Sequence, residues 1–191
     1  SLLSEFSYCL IFDGYRVHGV LLLGDGPDPI HIFTDGSCLN NPGPCGSGVY
    51  VIFPEGKYAE TTEVRRSFAL GQKGSNNIGE LFAIGAAMDL LDTPNYAPLV
   101  TPDAPIVIHS DSEYSIGVLG KGWTPRANKS LINQVRWKLN RRYKTNRIYF
   151  HWVKGHVGIK GNEEADRLAN IGSANSSKGI KVRHWIDPLT V

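Results

Sequence analysis

Four acidic residues stand where a solvated surface charge is not expected. Asp35 directly follows the apolar run His31-Ile32-Phe33-Thr34, and Asp111 comes three residues after Ile106-Val107-Ile108. Glu80 lies beside the apolar positions Ile78, Leu81, Phe82, Gly85, Ala86 and Leu90, and Asp166 adjoins Ala165 in a second helical pattern. Singly, each has an ordinary reading, since a strand-end Asp forms turns and a helical Glu is usually exposed. If the four converge, that reading fails, because clustered buried carboxylates repel one another and must protonate or bind cations. Oxygen ligands without Cys or clustered His favour Mg2+ or Mn2+ over Zn2+. Two such ions about 4 Å apart would bracket a scissile phosphate, one activating water and the other stabilising the leaving oxygen. Spacing alone does not establish the convergence.

The elements that must position these groups follow from periodicity. Residues 1–29 hold two apolar runs, Phe6 to Phe12 and Val17 to Leu23, split by Asp13-Gly14 and closed by Gly24-Asp25-Gly26-Pro27, the pattern of a β-hairpin or an added sheet edge. His31 to Thr34, Gly48 to Phe53 and Glu60 to Leu70 read as three strands, and their short connections make them an antiparallel meander. A helix carrying Glu80 follows, with Asn76 or Asn77 as its cap, and the Pro-rich stretch from Pro94 to Pro105 ends it. Ile106-Val107-Ile108 reads as a strand covered on both faces. A short helix, a longer one over Lys129–Lys144 and a strand over Ile148–Val153 come next. Asn162 then caps a last helix with the stripe Ala165, Leu168, Ala169 and Gly172, and Glu163 and Glu164 sit favourably in its first turn. This order predicts an α/β fold with a mixed sheet flanked by helices.

Composition narrows the class. With 191 residues, 41% hydrophobic and 20% charged, the chain has one domain's worth of core-forming material, which excludes disorder and small disulfide scaffolds. It holds no apolar run near the roughly 18 to 20 residues needed to cross a bilayer, so no membrane partner is expected. It begins with Ser and carries no basic stretch leading into a long apolar core, so no signal peptide is read, and an intracellular setting is expected, cytoplasmic first, with nucleus or organelle as alternatives. Cys9, Cys38 and Cys45 are too few and too oddly numbered for a disulfide framework or a zinc site, which favours a reducing compartment. Cys38 and Cys45, flanking the first turn, read as small buried or semi-buried residues rather than a functional pair.

Net charge is only +2, but it is arranged in blocks. From Tyr114 to Asn162 there are eleven Lys and Arg and no Asp or Glu, while the rest of the chain holds nine basic and eighteen acidic residues. Trp123, Trp137, Tyr143, Tyr149 and Trp152 are interleaved with those cations. Such asymmetry points to a polyanionic partner, and aromatic faces among cations suit nucleic acid. A solvated helix face covering core aromatics would give the same pattern.

Specific motifs surround the acids: Thr34-Asp35-Gly36-Ser37-Cys38-Leu39-Asn40-Asn41-Pro42-Gly43-Pro44, then Ser75-Asn76-Asn77-Ile78-Gly79-Glu80-Leu81, then His109-Ser110-Asp111-Ser112, then Trp152-Val153-Lys154-Gly155-His156-Val157-Gly158 with Gly161-Asn162-Glu163-Glu164-Ala165-Asp166-Arg167-Leu168-Ala169. In this order they closely resemble type 1 ribonuclease H, over about residues 30 to 175. The resemblance implies the ribonuclease H-like fold, a five-stranded mixed sheet flanked by helices. It divides the chain into an N-terminal extension (1–29), a catalytic domain (30–175) and a C-terminal tail (176–191).

Carried across, the resemblance makes Asp35, Glu80, Asp111 and Asp166 the ligands of two Mg2+ ions, with Mn2+ as an alternative. It makes the chain an endonuclease that cuts the RNA strand of an RNA/DNA hybrid to 3'-hydroxyl and 5'-phosphate ends. His156 matches the family's mobile histidine, which assists proton transfer or product departure. Asn41, Asn76 and Asn77 match positions contacting the hybrid, where 2'-hydroxyl contacts distinguish RNA. Ser75 and Asn128 match a phosphate pocket for the DNA strand, with Arg126 and Lys129 supplying charge beside it. The segment Ser115 to Asn128 is too short for the extra helix and basic loop of several cellular members. Both a free-standing monomer and a reverse-transcriptase domain within a larger polyprotein fit this compact form. The competing readings are a non-catalytic hybrid-binding module and a DNA nuclease or strand-transferase of the same fold.

Overall fold

The computed structural model describes residues 8–21, 26–56, 61–153 and 159–180. Seven strands form one sheet: β1 (Tyr8–Phe12), β2 (Val17–Leu21), β3 (Ile30–Cys38), β4 (Gly43–Phe53), β5 (Thr62–Gly74), β6 (Ile106–Ser110) and β7 (Ile148–Trp152), in the order β2-β1-β7-β6-β3-β4-β5. The helices are α1 (Asn76–Leu91), α2 (Glu113–Gly120), α3 (Lys129–Tyr143) and α4 (Lys160–Ser177), with a 3-10 turn at Ala97–Leu99.

Strands β3, β4 and β5 are the antiparallel meander expected from their short connections. Strand β6, buried at all five positions, lies parallel between β3 and β7 and is covered on both faces, as its β-branched run requires. These five strands make the expected mixed sheet. It grows to seven because β1 pairs antiparallel with β7 and β2 with β1.

The two faces of the sheet are packed differently. On one, Ile84, Ala87 and Leu91 of α1 and Ile132, Val135 and Leu139 of α3 cover Ile32, Val49, Val51, Ile106 and Ile108. On the other, α4 lies directly on β4: a Cβ at Gly48 would collide with the Ala165 carbonyl oxygen, and one at Gly46 with the Ser173 backbone. Phe33, Tyr50, Ala165 and Leu168 form the small core there. Beside it runs a row of histidines unforeseen in the sequence: His31 Nδ1 lies 2.9 Å from His109 Nε2, and His109 Nδ1 lies 3.0 Å from His151 Nδ1. Burial pushes His31 down to about 4 and His109 well below the usual imidazole range, so both are neutral at neutral pH.

Three expectations change. The cap of α1 is Ser75, which is extended and whose Oγ accepts from the Ile78 N–H at 3.3 Å; Asn76 is already helical. Helix α4 starts at Lys160, so Asn162 lies inside its first turn; Gly161 is seated against the Phe33 ring, where a Cβ would clash. Finally, Cys38 and Cys45 are a bonded pair. The β3/β4 register sets them opposite one another, Cα–Cα 4.1 Å, and they form a disulfide, while Cys9 is buried as a free thiol. A separation of seven residues does not reveal register, so the reading of Cys38 and Cys45 as small residues rather than a pair is overturned. Among the described residues no helix is long and apolar enough to cross a membrane.

Candidate active site

Asp35, Glu80 and Asp111 converge, each presenting a carboxylate oxygen within 4.8 Å of the others. Parallel pairing explains two of them. In the β3/β6 register Phe33 lies opposite His109, so two residues further along both strands Asp35 and Asp111 arrive at the same end of the sheet and on one face. Glu80 arrives through a backbone contact. A Cβ at Gly36 would clash with Gly79 and with the Glu80 N–H, so this glycine lets the first turn of α1 rest on β3. The Ser47 hydroxyl fastens that turn, donating to the Gly79 carbonyl at 2.6 Å. Beyond β6, the Trp152 indole N–H donates to the Asp111 carbonyl at 3.2 Å.

Asp35 and Glu80 are costly as bare anions. Asp35 is 6% and Glu80 8% exposed. Burial, with the charges of Asp111 and Asp166 added, pushes the Asp35 carboxyl up to about 7. Burial together with Asp35 and Asp111 holds Glu80 well above the ordinary carboxylate range. Glu80 Oε2 is buried with no hydrogen-bond partner among the described residues. A convergent, oxygen-only, partly unsatisfied donor set of this kind fits a hard divalent cation, which would satisfy the lone pairs and remove the repulsion.

Asp166 stands on the wall of the same cleft, a space of about 540 Å³ lined also by Asp35, Glu80, Asp111, Asn162 and Asn76. It is exposed and outside the tight trio. The close seating of α4 on Gly46 and Gly48 carries it there. A short relay orients it: the Ser37 hydroxyl donates to Asn170 Oδ1 at 2.6 Å, and Asn170 Nδ2 donates to Asp166 Oδ2 at 3.2 Å.

Of the residues matched to nucleic-acid contacts, Asn76 lines the cleft beside the acids, and Asn41, Ser75 and Asn77 adjoin it. Asn41 Oδ1 accepts the Asn76 N–H at 3.1 Å, which joins the β3–β4 turn to the start of α1, where Ser75 and Asn77 also sit. Helix α3 runs parallel to α1. Gly85 lies against Val135, Lys138 pairs with Asp89 at 2.6 Å, and Arg142 pairs with Asp92 one turn further along. This register brings Lys129, at the start of α3, to the same end as Asn76 and Glu80. Asn128 precedes it in the left-handed region (φ 62°), its Nδ2 3.5 Å from the Tyr114 hydroxyl. Arg126 and Lys129 are exposed. His156 lies in 154–158, outside the described residues. Sequence reasoning missed Ser37 and Asn170, whose roles arise from a contact between β3 and α4. It also took Asn162 for a helix cap, whereas its side chain is buried on the cleft wall with Nδ2 unpartnered among the described residues.

Comparison with known proteins agrees with this geometry. The RNase H family model matches residues 27–174. Ribonuclease H of Halorhodospira halophila is 35% identical over 144 residues, covering 75% of this chain and 91% of that protein. Ribonuclease H of Shewanella sp. (strain MR-7) is 35% identical over 159 residues, covering 83% and 96%. Among solved structures, RNase H1 from Halobacterium salinarum superposes with a TM-score of 0.56 at 21% identity, covering 77% of this chain and 98% of that one. LC11-RNase H1, solved in complex with RNA/DNA hybrid, gives 0.55 at 23% identity, covering 78% and 99%. A buried carboxylate trio at the end of paired parallel strands, in a chain matched over three quarters of its length by these enzymes, places it in the ribonuclease H family.

Proposed function

We propose that this chain hydrolyses the RNA strand of RNA/DNA hybrids endonucleolytically, with Mg2+ as its ion and Mn2+ able to replace it, leaving 3'-hydroxyl and 5'-phosphate ends. The observation that carries the reading is the meeting of Asp35, Glu80 and Asp111 in a cleft bordered by asparagines. Two divalent ions bound there would supply Lewis acidity to the scissile phosphate and lower the pKa of an attacking water. Asp35 is the central ligand, because β3 pairs with the strand that leads to Asp111, touches the turn carrying Glu80 through Gly36 and reaches α4 through Ser37. Glu80 and Asp111 complete the buried side of the site. Asp166, more exposed and held by Asn170, serves the solvent side, where water enters and product leaves.

Substrate choice belongs to the neighbouring polar groups. Asn41, Asn76 and Asn77 offer amide donors and acceptors to 2'-hydroxyls and minor-groove edges, which is how a protein separates an RNA strand from DNA. Ser75, Asn128, Arg126 and Lys129 hold a phosphate of the opposite strand. His156 serves proton transfer or product departure.

The test is incubation of labelled RNA/DNA hybrid, double-stranded RNA, double-stranded DNA and single-stranded RNA with Mg2+ or with EDTA. Cleavage of the hybrid's RNA alone, abolished by EDTA and by Asp35→Asn while hybrid binding persists, is the expected outcome. Mg2+-dependent turnover retained by Asp35→Asn would refute the assignment of the site. Tight hybrid binding with no cleavage would make the chain a binding module.

A further inference from the structure

Helix α2 leads away from the cleft. Its cap Ser112 follows Asp111 directly, and eight residues carry it about 12 Å from the carboxylates. The segment Lys121–Asn128 then folds back along it. Trp123 lies on Gly117, to whose carbonyl its backbone N–H donates at 3.2 Å, and a Cβ on that glycine would collide with the indole. Asn128 returns to Tyr114 in the first turn of α2. The far end of this strip meets the β1–β2 hairpin. Val17 packs on Gly120, and the Arg16 guanidinium lies against Gly122, which takes a positive φ of 70°.

The tip of the hairpin is built to present side chains outward. Asp13 Oδ1 accepts the N–H groups of Tyr15 and Arg16 at 2.9 and 2.7 Å, and its other oxygen pairs with His18 at 2.8 Å. That fixes the turn and occupies its one carboxylate. Tyr15 is 73% and Trp123 42% exposed, and the Arg16 guanidinium stands 5.2 Å from the Tyr15 ring centroid. No carboxylate pairs with Arg16 among the described residues. Lys121 and Arg126, in the segment beside it, are exposed as well, and that stretch of chain contains no acid.

We propose that the hairpin tip and the Lys121–Trp123 stretch beside it together form a second contact surface for the RNA/DNA hybrid, with Arg16 and Lys121 on backbone phosphates and Tyr15 and Trp123 against sugar faces. At about 3.4 Å of chain per nucleotide, the length of α2 sets this surface roughly four nucleotides from the cleavage point. The inference rests on the hybrid-cleaving reading above and adds to it a role for residues outside the catalytic domain's own motifs. Exposed Arg126 follows in the same segment and exposed Lys129 starts α3, so cations run from this surface toward the end of the sheet that holds the acids. A polyanion is the occupant that the charge selects, and aromatic faces among those cations suit nucleic acid over an acidic peptide.

The test compares the full chain with Arg16→Ala, Arg16→Lys and Lys121→Ala, measuring hybrid affinity in EDTA between 50 and 200 mM salt, and kcat and KM in Mg2+. Arg16→Ala and Lys121→Ala should each bind about three- to fivefold more weakly at 50 mM salt and lower the slope of log K against log salt by about one. KM should rise while kcat holds, and Arg16→Lys should restore both affinity and slope. Equal slopes and affinities for wild type and both alanine variants would overturn the proposal. So would equal losses in Arg16→Ala and Arg16→Lys, which would mark a packing role at Gly122 rather than a phosphate contact. If the wild-type chain cleaves no hybrid, the underlying reading fails, whatever the variants do.

Discussion

Replacing Asp35 by Asn should stabilise the ion-free protein, and the size of the effect should depend on pH. Burial lifts the Asp35 carboxyl from 3.8 to about 7. A raised carboxyl binds its proton more tightly in the folded state, so its contribution is fully present below about pH 4 and is lost as pH rises through about 7. At about 1.4 kcal/mol per pH unit, the penalty above pH 7 amounts to roughly 4 kcal/mol, and Glu80, raised by burial and by the charges of Asp35 and Asp111, relaxes in the same direction when the Asp35 charge is removed. The Asn side chain is nearly isosteric and needs no deprotonation. Urea denaturation in EDTA should therefore show Asp35→Asn more stable than wild type, by an amount that grows by about 2 kcal/mol between pH 5.5 and pH 8.5. Taking the difference between two proteins cancels the opposing titration of the buried histidines. Millimolar Mg2+ should then narrow the gap, because an ion held by the carboxylates stabilises only the folded wild type. A gap that is constant with pH, or a variant less stable than wild type at pH 8.5, would refute the claim that these buried carboxylates are strained without a cation.

Gly48→Ala should destabilise the fold by roughly 3 kcal/mol and depress cleavage in the surviving folded fraction, since the new methyl group meets the Ala165 carbonyl and pushes Asp166 outward; unaltered activity per folded molecule would show that α4 tolerates the shift. Opening the Cys38–Cys45 disulfide with dithiothreitol should cost about 2 kcal/mol, the loop-closure value for so short a span, and the Cys38→Ser/Cys45→Ser double variant should be insensitive to reductant. A wild-type unfolding midpoint unmoved by reductant would argue that the pair is not bonded in solution. His156→Ala should slow steady-state turnover without abolishing it, and an unchanged rate would remove that residue from the reaction.

Much of the fold was legible because its signals are local. The run Ile106-Val107-Ile108 needs two covered faces wherever it is placed, and it lies buried between β3 and β7. The α1 stripe survived the misplaced cap, because one residue of error at a terminus does not change which face is apolar. What failed depended on neighbours distant in sequence. Cys38 and Cys45 are partners only because the β3/β4 register sets them opposite each other, and Asn162 is a cleft residue only because Gly161 can lie on Phe33. The histidine row spans three strands that no pattern within one strand connects.

Taken alone, the sequence determined the identity of the four acids, the asparagine-rich turns, the cationic segment and the family these resemble. These are properties of residue type and spacing, which survive without coordinates. Only the tertiary structure decided that Asp35, Glu80 and Asp111 meet within bonding distance of one ion while Asp166 stands apart on the wall. It also decided that Arg16 reaches the segment after α2. The reason is geometric: carboxylates 45 and 31 residues apart in the chain are brought together by parallel strand pairing and by a glycine that admits a helix terminus, and neither leaves a mark in the spacing of the acids themselves.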